Sequence, residues 1–182
     1  MAVGIPGFSS PAVGPEAPLA LLSACHERVG RQCATLRRLA AHVAAHGADA
    51  AAQTAAGSVL RYFDTAAVHH HSDEEEDLFP ALIESMAGSD AYCLHALVDG
   101  LTQEHRQLEA AWRGLHGPLQ AVSAGQPAEL DADRVEAFCN LYAAHIQREE
   151  DELLPMAARL LDDHALADIG RAMRARRGGE AG

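Results

Sequence analysis

A helical core that must take acids into its interior has few ways to fold, and this chain sets out that demand twice. Residues 68–80 read VHHHSDEEEDLFP and residues 143–155 read AAHIQREEDELLP. A shift of 75 places His70 on His145, Glu74 on Glu149, Glu75 on Glu150, Leu78 on Leu153 and Pro80 on Pro155. A charge run that only meets water has no reason to recur in step with leucine and proline. The surrounding apolar rhythm puts Phe63, Ala67, His70 and Glu74 on one helical stripe, and Phe138, Tyr142, His145 and Glu149 on another. In each, histidine and glutamate are four residues apart, one helical turn on the same face.

The other half of the chain repeats as well. Leu22, His26, Val29, Cys33, Leu36, Ala40 and Val43 alternate spacings of four and three, a stripe suited to a bundle core. Leu101, His105, Leu108, Trp112, Leu115 and Leu119 keep the same rhythm, and a shift of 79 superposes Leu22 on Leu101, His26 on His105 and Leu36 on Leu115. Two copies of a helical hairpin are implied. The predicted helices run from Leu19 to about His46, from Ala50 to Ala87, from Ala91 to Val122 and from about Asp131 to Leu161, followed by a short terminal helix. Asp131 is placed to cap the fourth, and Gly117-Pro118 to kink or break the third near its end. Strand signals are absent. The expected fold is all-α, an up-down-up-down four-helix bundle over residues 18–176 with a short C-terminal helix. An irregular segment is expected over 1–17 and a flexible tail over 177–182.

Each of the four stripes therefore carries one histidine, and two carry a glutamate as well. Buried carboxylates without partners are costly. The chain has no lysine, since all 14 of its basic side chains are arginine, and none falls on these stripes. A pair of metal ions resolves the conflict, because imidazole and carboxylate suit iron and manganese. If each ion takes two histidines, both glutamates bridge and one oxide or hydroxide is added, each ion is five-coordinate. One position is then left for dioxygen, nitric oxide or peroxide.

One histidine, then HxxxE, then one histidine, then HxxxE, with LFP and LLP tails, resembles the hemerythrin-like (HHE cation-binding) family over roughly residues 18–160. The resemblance implies a four-helix bundle with a non-haem di-iron centre, manganese being the alternative metal. Its ligands by position would be His26, His70, Glu74, His105, His145 and Glu149, with both glutamates bridging. The oxygen-carrying hemerythrins have a further histidine where this chain has Leu101, and an aspartate five residues after the last histidine; here the acid is Glu149, four residues after.

Two functions follow from such a centre. One is binding or sensing of a small ligand (dioxygen or nitric oxide) or of iron, without turnover. The other is an oxidoreductase turning over hydrogen peroxide or nitrogen oxides. A metal-free bundle serving as an interaction module is the plain alternative.

The remaining polar residues have ordinary readings. His71 and Glu75 share the HxxxE spacing, but Ile146 stands opposite His71 in the second copy. With His69, Asp73, Glu76 and Asp77 they are expected to face water or to orient the ligands from outside. His42, His46, His95, His116 and His164 read as surface or terminal residues. Tyr62 and Tyr142 read as core residues close to the site, Tyr142 the nearer. Leu78, Phe79 and Pro80 are expected to close the core above it. MRARR near the C-terminus suits the negative end of a helix dipole and needs no partner. Cys25, Cys33, Cys93 and Cys139 read as small apolar core residues of a reducing compartment, with Cys25 beside His26 the one redox candidate.

Composition narrows the partners. A net charge of −12 opposes nucleic acid and anionic membrane surfaces. No stretch is long and apolar enough for a membrane span, and the N-terminus lacks the features of a secretory signal. The cytoplasm is the expected location.

Overall fold

The computed structural model describes residues 17–86 and 91–178, and among these the chain is helix and turn with no strand. Helix α1 is Pro18–His46, α2 covers residues 50–85, α3 is Ala91–Ser123, α4 covers residues 132–160 and α5 is Asp163–Gly178. α1 packs beside α2 and α4, and α3 beside the same two, which is the square of an up-down-up-down bundle. α5 continues through Gly178, two residues into the expected tail, and packs against α1 and α2. The segment over 1–16 and the last four residues lie outside the described residues.

Local chemistry sets the ends. α1 stops at Gly47, whose φ of 73° is left-handed and whose N–H reaches Val43 O at 2.8 Å. Asp49 then caps α2 by accepting from Ala52 N, and Asp131 caps α4 by accepting from Asp133 N and Arg134 N. The break expected at Gly117-Pro118 does not occur, and α3 runs on to Ser123. Leu119 and Val122, both wholly buried, hold that last turn on the core. α2 ends at Ser85, two residues short of the expected end.

The stripes face inward as the spacing requires, with Trp112 only half-buried and donating its indole N–H to Asp64 at 2.9 Å. Two apolar clusters result. One gathers Val29, Leu36, Phe63, Leu115, Phe138 and Tyr142, the other Leu22, Leu78, Leu82, Leu101, Leu153 and Met173. The histidines and glutamates form the layer between them.

α2 and α4 are not uniform α-helices. π turns occupy Tyr62–Ala66, Asp73–Leu78 and Glu149–Leu153, and their N–H groups reach back five residues: Ala67 to Tyr62 O, Phe79 to Glu74 O, Leu154 to Glu149 O. Pro80 and Pro155 each follow one residue after such a bond. A proline has no N–H and crowds the carbonyl four residues back, so the register changes where the α ladder is broken in any case. Pro80 is exposed and does not close the core with Leu78 and Phe79, which are buried. Three consecutive helical residues span too wide an arc to share one face.

The acidic run does not simply face water, and MRARR does have partners. Asp73 is wholly buried and is gripped by Arg176 and Arg177 of α5. Arg176 also reaches Asp77 at 2.9 Å and Glu76 at 3.0 Å. The expectation failed because it weighed α5 only by its own dipole, whereas the tertiary fold lays its last turn along α2. Among the cysteines Cys25, Cys33 and Cys139 are buried, but Cys93 is exposed, since it lies off the apolar stripe of α3.

Removing both cations strands a buried carboxylate, a loss on the order of 3 kcal/mol or more. Arg176→Ala/Arg177→Ala should therefore lower the thermal midpoint by roughly 6–12 °C in a chain of this size. A calorimetric midpoint unchanged within a degree or two would show that the latch contributes little.

Candidate metal centre

Six side chains from four helices meet in the polar layer. His26, His70, Glu74 and Glu149 offer ligand atoms that all lie within 4.8 Å of one another, and so do Glu74, His105, His145 and Glu149. Both glutamates belong to both groups. All six residues are buried, Glu74, Glu149 and His105 completely.

Distances within each half fit a single ion. His26 Nε2 and His70 Nε2 are 3.2 Å apart with their rings at 87°. His105 Nε2 and His145 Nε2 are 3.1 Å apart with their rings at 73°. Nitrogens in adjacent positions about 2.1 Å from one metal are separated by roughly 3 Å. Glu149 spans the two halves, with Oε2 at 3.0 Å from His26 Nε2 and Oε1 at 3.0 Å from His145 Nε2. Glu74 does the same more loosely, at 3.5 Å from His70 Nε2 and 3.3 Å from His105 Nε2. Yet none of the four carboxylate oxygens has a hydrogen-bond partner. The lone pairs converge on common points instead of on one another. Buried polar atoms left like this call for a partner, and the donor set suits a cation.

The outer nitrogens fix the inner ones. His26 Nδ1 donates to Glu150 at 2.6 Å, His105 Nδ1 to Glu75 at 2.7 Å and His145 Nδ1 to Glu104 at 2.8 Å. An ionised carboxylate only accepts, so Nδ1 carries a proton, and an imidazole that gives up its second proton to a cation turns the Nε2 lone pair inward. The π turns make this possible, since in each copy the glutamate enters the layer while the next residue reaches across to a neighbouring helix. Glu75 and Glu150 thus occupy equivalent places in the two hairpins. Glu104 is held in turn by Arg148 at 2.7 Å. That guanidinium lies over Gly100, where a Cβ would come within 2.7 Å of it.

Charge in the layer is tightly coupled. Burial alone would lower His26, but the carboxylates of Glu149 and Glu150 raise it to about 9. Burial also opposes the charge on His105, which Glu149, Glu74 and Glu75 raise to about 10. His145 is raised the same way, by Glu149 and Glu104 against burial. His70 lacks a carboxylate at Nδ1, and burial takes it down to about 3. Burial and the charge of Glu149 push Glu74 up to about 7. Burial would raise Glu149 too, but the imidazoles of His105, His145 and His26 hold it well below the usual range.

The hemerythrin HHE cation-binding domain pattern matches residues 17–157. This chain belongs to that family. An uncharacterized protein of Haemophilus influenzae (strain Rd) is similar to it, 32 % identical over 160 residues that cover 88 % of this chain and 90 % of that protein. Membership is that of a cation-binding domain, and the buried, unpaired carboxylates of the polar layer are in keeping with it. Among the described residues no helix is long and apolar enough to cross a membrane.

Several residues lie elsewhere than the sequence suggested, or went unnoticed in it. His71 is buried, not solvated, and a ring nitrogen of it lies within 4.8 Å of one each from His105 and His145. Its ring lies against His105 of α3, stacked at 4.0 Å, with Tyr142 of α4 at 6.1 Å. Glu104 drew no attention because the repeat hides it: the shift of 79 puts it opposite Cys25. That same cysteine leaves His70 Nδ1 buried and unbonded. His42 and His116 are partly exposed and pair with Asp49 and Asp64, while His46, His95 and His164 are exposed. Tyr62 donates to Cys25 O at 3.3 Å, and Tyr142 packs among Phe63 and Phe138.

Without metal, His26 and His105 gain stability from their protons. That gain is complete below pH 6.5 and lost as pH rises through about 9 and about 10. Metal must displace those protons. Ferrous iron added anaerobically to chelator-stripped protein at pH 8 should release acid that a pH-stat detects, and metal affinity should fall as pH falls. No acid release would contradict protonated imidazoles at the site.

Proposed function

We propose that the chain is a non-haem di-iron protein that binds or senses a small ligand such as dioxygen or nitric oxide. The observation that carries this reading is the sharing of Glu74 and Glu149 by both halves of the site. A mononuclear cage has no use for a second pair of histidines beyond the same two carboxylates. His26 and His70 would hold one ion, His105 and His145 the other, and the glutamates would bridge. Four imidazoles against two carboxylates favour iron over manganese, which prefers oxygen donors.

Iron bound there supplies a redox-active Lewis acid with exchangeable positions. The protein's own part is to orient and to seal. Glu150, Glu75 and Glu104 keep three imidazoles in the tautomer that faces inward. The apolar clusters on both sides keep bulk water from the layer. Binding without turnover fits this interior, because the apolar clusters flank the layer closely and the described side chains around it are imidazoles and carboxylates already engaged with one another.

Reduced, iron-loaded protein should develop new visible absorption on exposure to nitric oxide or dioxygen, saturating with ligand concentration. Peroxide should decay no faster with the protein than with the same amount of free iron. Turnover well above that control would favour the peroxide-consuming oxidoreductase. Iron-loaded protein that neither binds nor turns over these molecules would leave iron itself as the cargo.

A further inference from the structure

Among the places where the two halves of the site differ, one sets a further histidine against the ligand set. A shift of 75 puts Ile146 on α4 opposite His71 on α2. His71 is 8 % exposed, and its Nε2 is sealed from solvent with no hydrogen-bond partner. A buried imidazole nitrogen left this way calls for a partner that the fold itself does not supply.

His71 lies beside the cage and not within it. Its ring is stacked on His105, with centroids 4.0 Å apart and planes 12° from parallel. The pairs that converge on one point instead cross at 87° and 73°. Glu75 fixes His105 from behind, so the stack cannot open by turning that ring. A ring nitrogen of His71 still comes within 4.8 Å of one ring nitrogen each of His105 and His145, a gap that one small molecule can bridge.

His71 also meets the outside. It lines a surface pocket of about 360 Å³ between α2 and α3, together with Val68, Glu75, Arg106 and Trp112.

We propose that a small ligand enters through this pocket, binds the ion held by His105 and His145, and is positioned there by a hydrogen bond from His71. The inference rests on the di-iron reading above and adds which half takes the ligand and by what route. His71 acts as a positioning residue for the ligand, not as a metal ligand.

Azide is the probe, titrated into ferric protein and followed by its charge-transfer absorption, with iron per chain measured on the same samples. Wild type, His71→Ile and His71→Gln should hold equal iron. His71→Ile copies the residue of the other half and should weaken azide about tenfold or more, the worth of a hydrogen bond to a charged ligand. His71→Gln keeps an N–H near the same place and should recover most of the affinity. Unchanged azide binding in His71→Ile overturns the proposal, as does a glutamine variant as weak as the isoleucine one. Loss of iron from either variant overturns it in favour of direct ligation. Iron-loaded wild type that takes up no azide overturns it too, whereas wild type that holds no iron at all removes the di-iron reading itself.

Discussion

Two carboxylates, wholly out of water and without a hydrogen bond, face each other across the centre of a four-helix bundle. Desolvation and like charge both oppose that arrangement, and much of the surrounding structure answers to it. Four imidazoles aim Nε2 at the carboxylates, and three are braced from behind by further acids. Those acids keep the imidazoles in the inward-facing tautomer and bring the layer closer to what a cation requires. The apolar clusters above and below hold the four helices at the spacing the layer needs.

The second organising fact is an internal repeat with deliberate-looking breaks. Glu75 and Glu150 do the same work on opposite hairpins, and the π turns at Asp73–Leu78 and Glu149–Leu153 place them. Where the copies differ, the environment differs. Cys25 replaces an acid and leaves His70 unbraced, while Glu104 braces His145 under Arg148. In the repeat Ala67 corresponds to Tyr142, and His71 to Ile146. α5 adds a feature with no repeat at all, a pair of arginines on the buried Asp73. A site built from two similar halves thus presents two dissimilar surroundings.

Much of this was legible in the sequence. Periodicity gave the four helices and their inward faces, and the repeat picked His70 and Glu74 over His71 and Glu75, which the spacing alone did not separate. The structure brings all six residues into one layer. The rest depends on relations between helices that no local pattern encodes. Burial of His71 follows from rings that other helices bring to it, His105 and Tyr142. The partners of Asp73 come from about a hundred residues away. Glu104 has no counterpart to flag it, and the π turns, though prolines mark the ends of two of them, leave no other trace in the apolar rhythm. α3 carries Pro118 without a break, because the buried Leu119 and Val122 outweigh the loss of one helical hydrogen bond.

Metal content bears most directly on the centre of this picture. Elemental mass spectrometry after anaerobic iron loading should find about two irons per chain in the wild type, as a doubly bridged bundle site requires. Glu74→Ala/Glu149→Ala should retain almost none while remaining helical by circular dichroism. Wild-type protein without bound metal, or a double variant that keeps its full complement, would contradict a site held together by those two shared carboxylates.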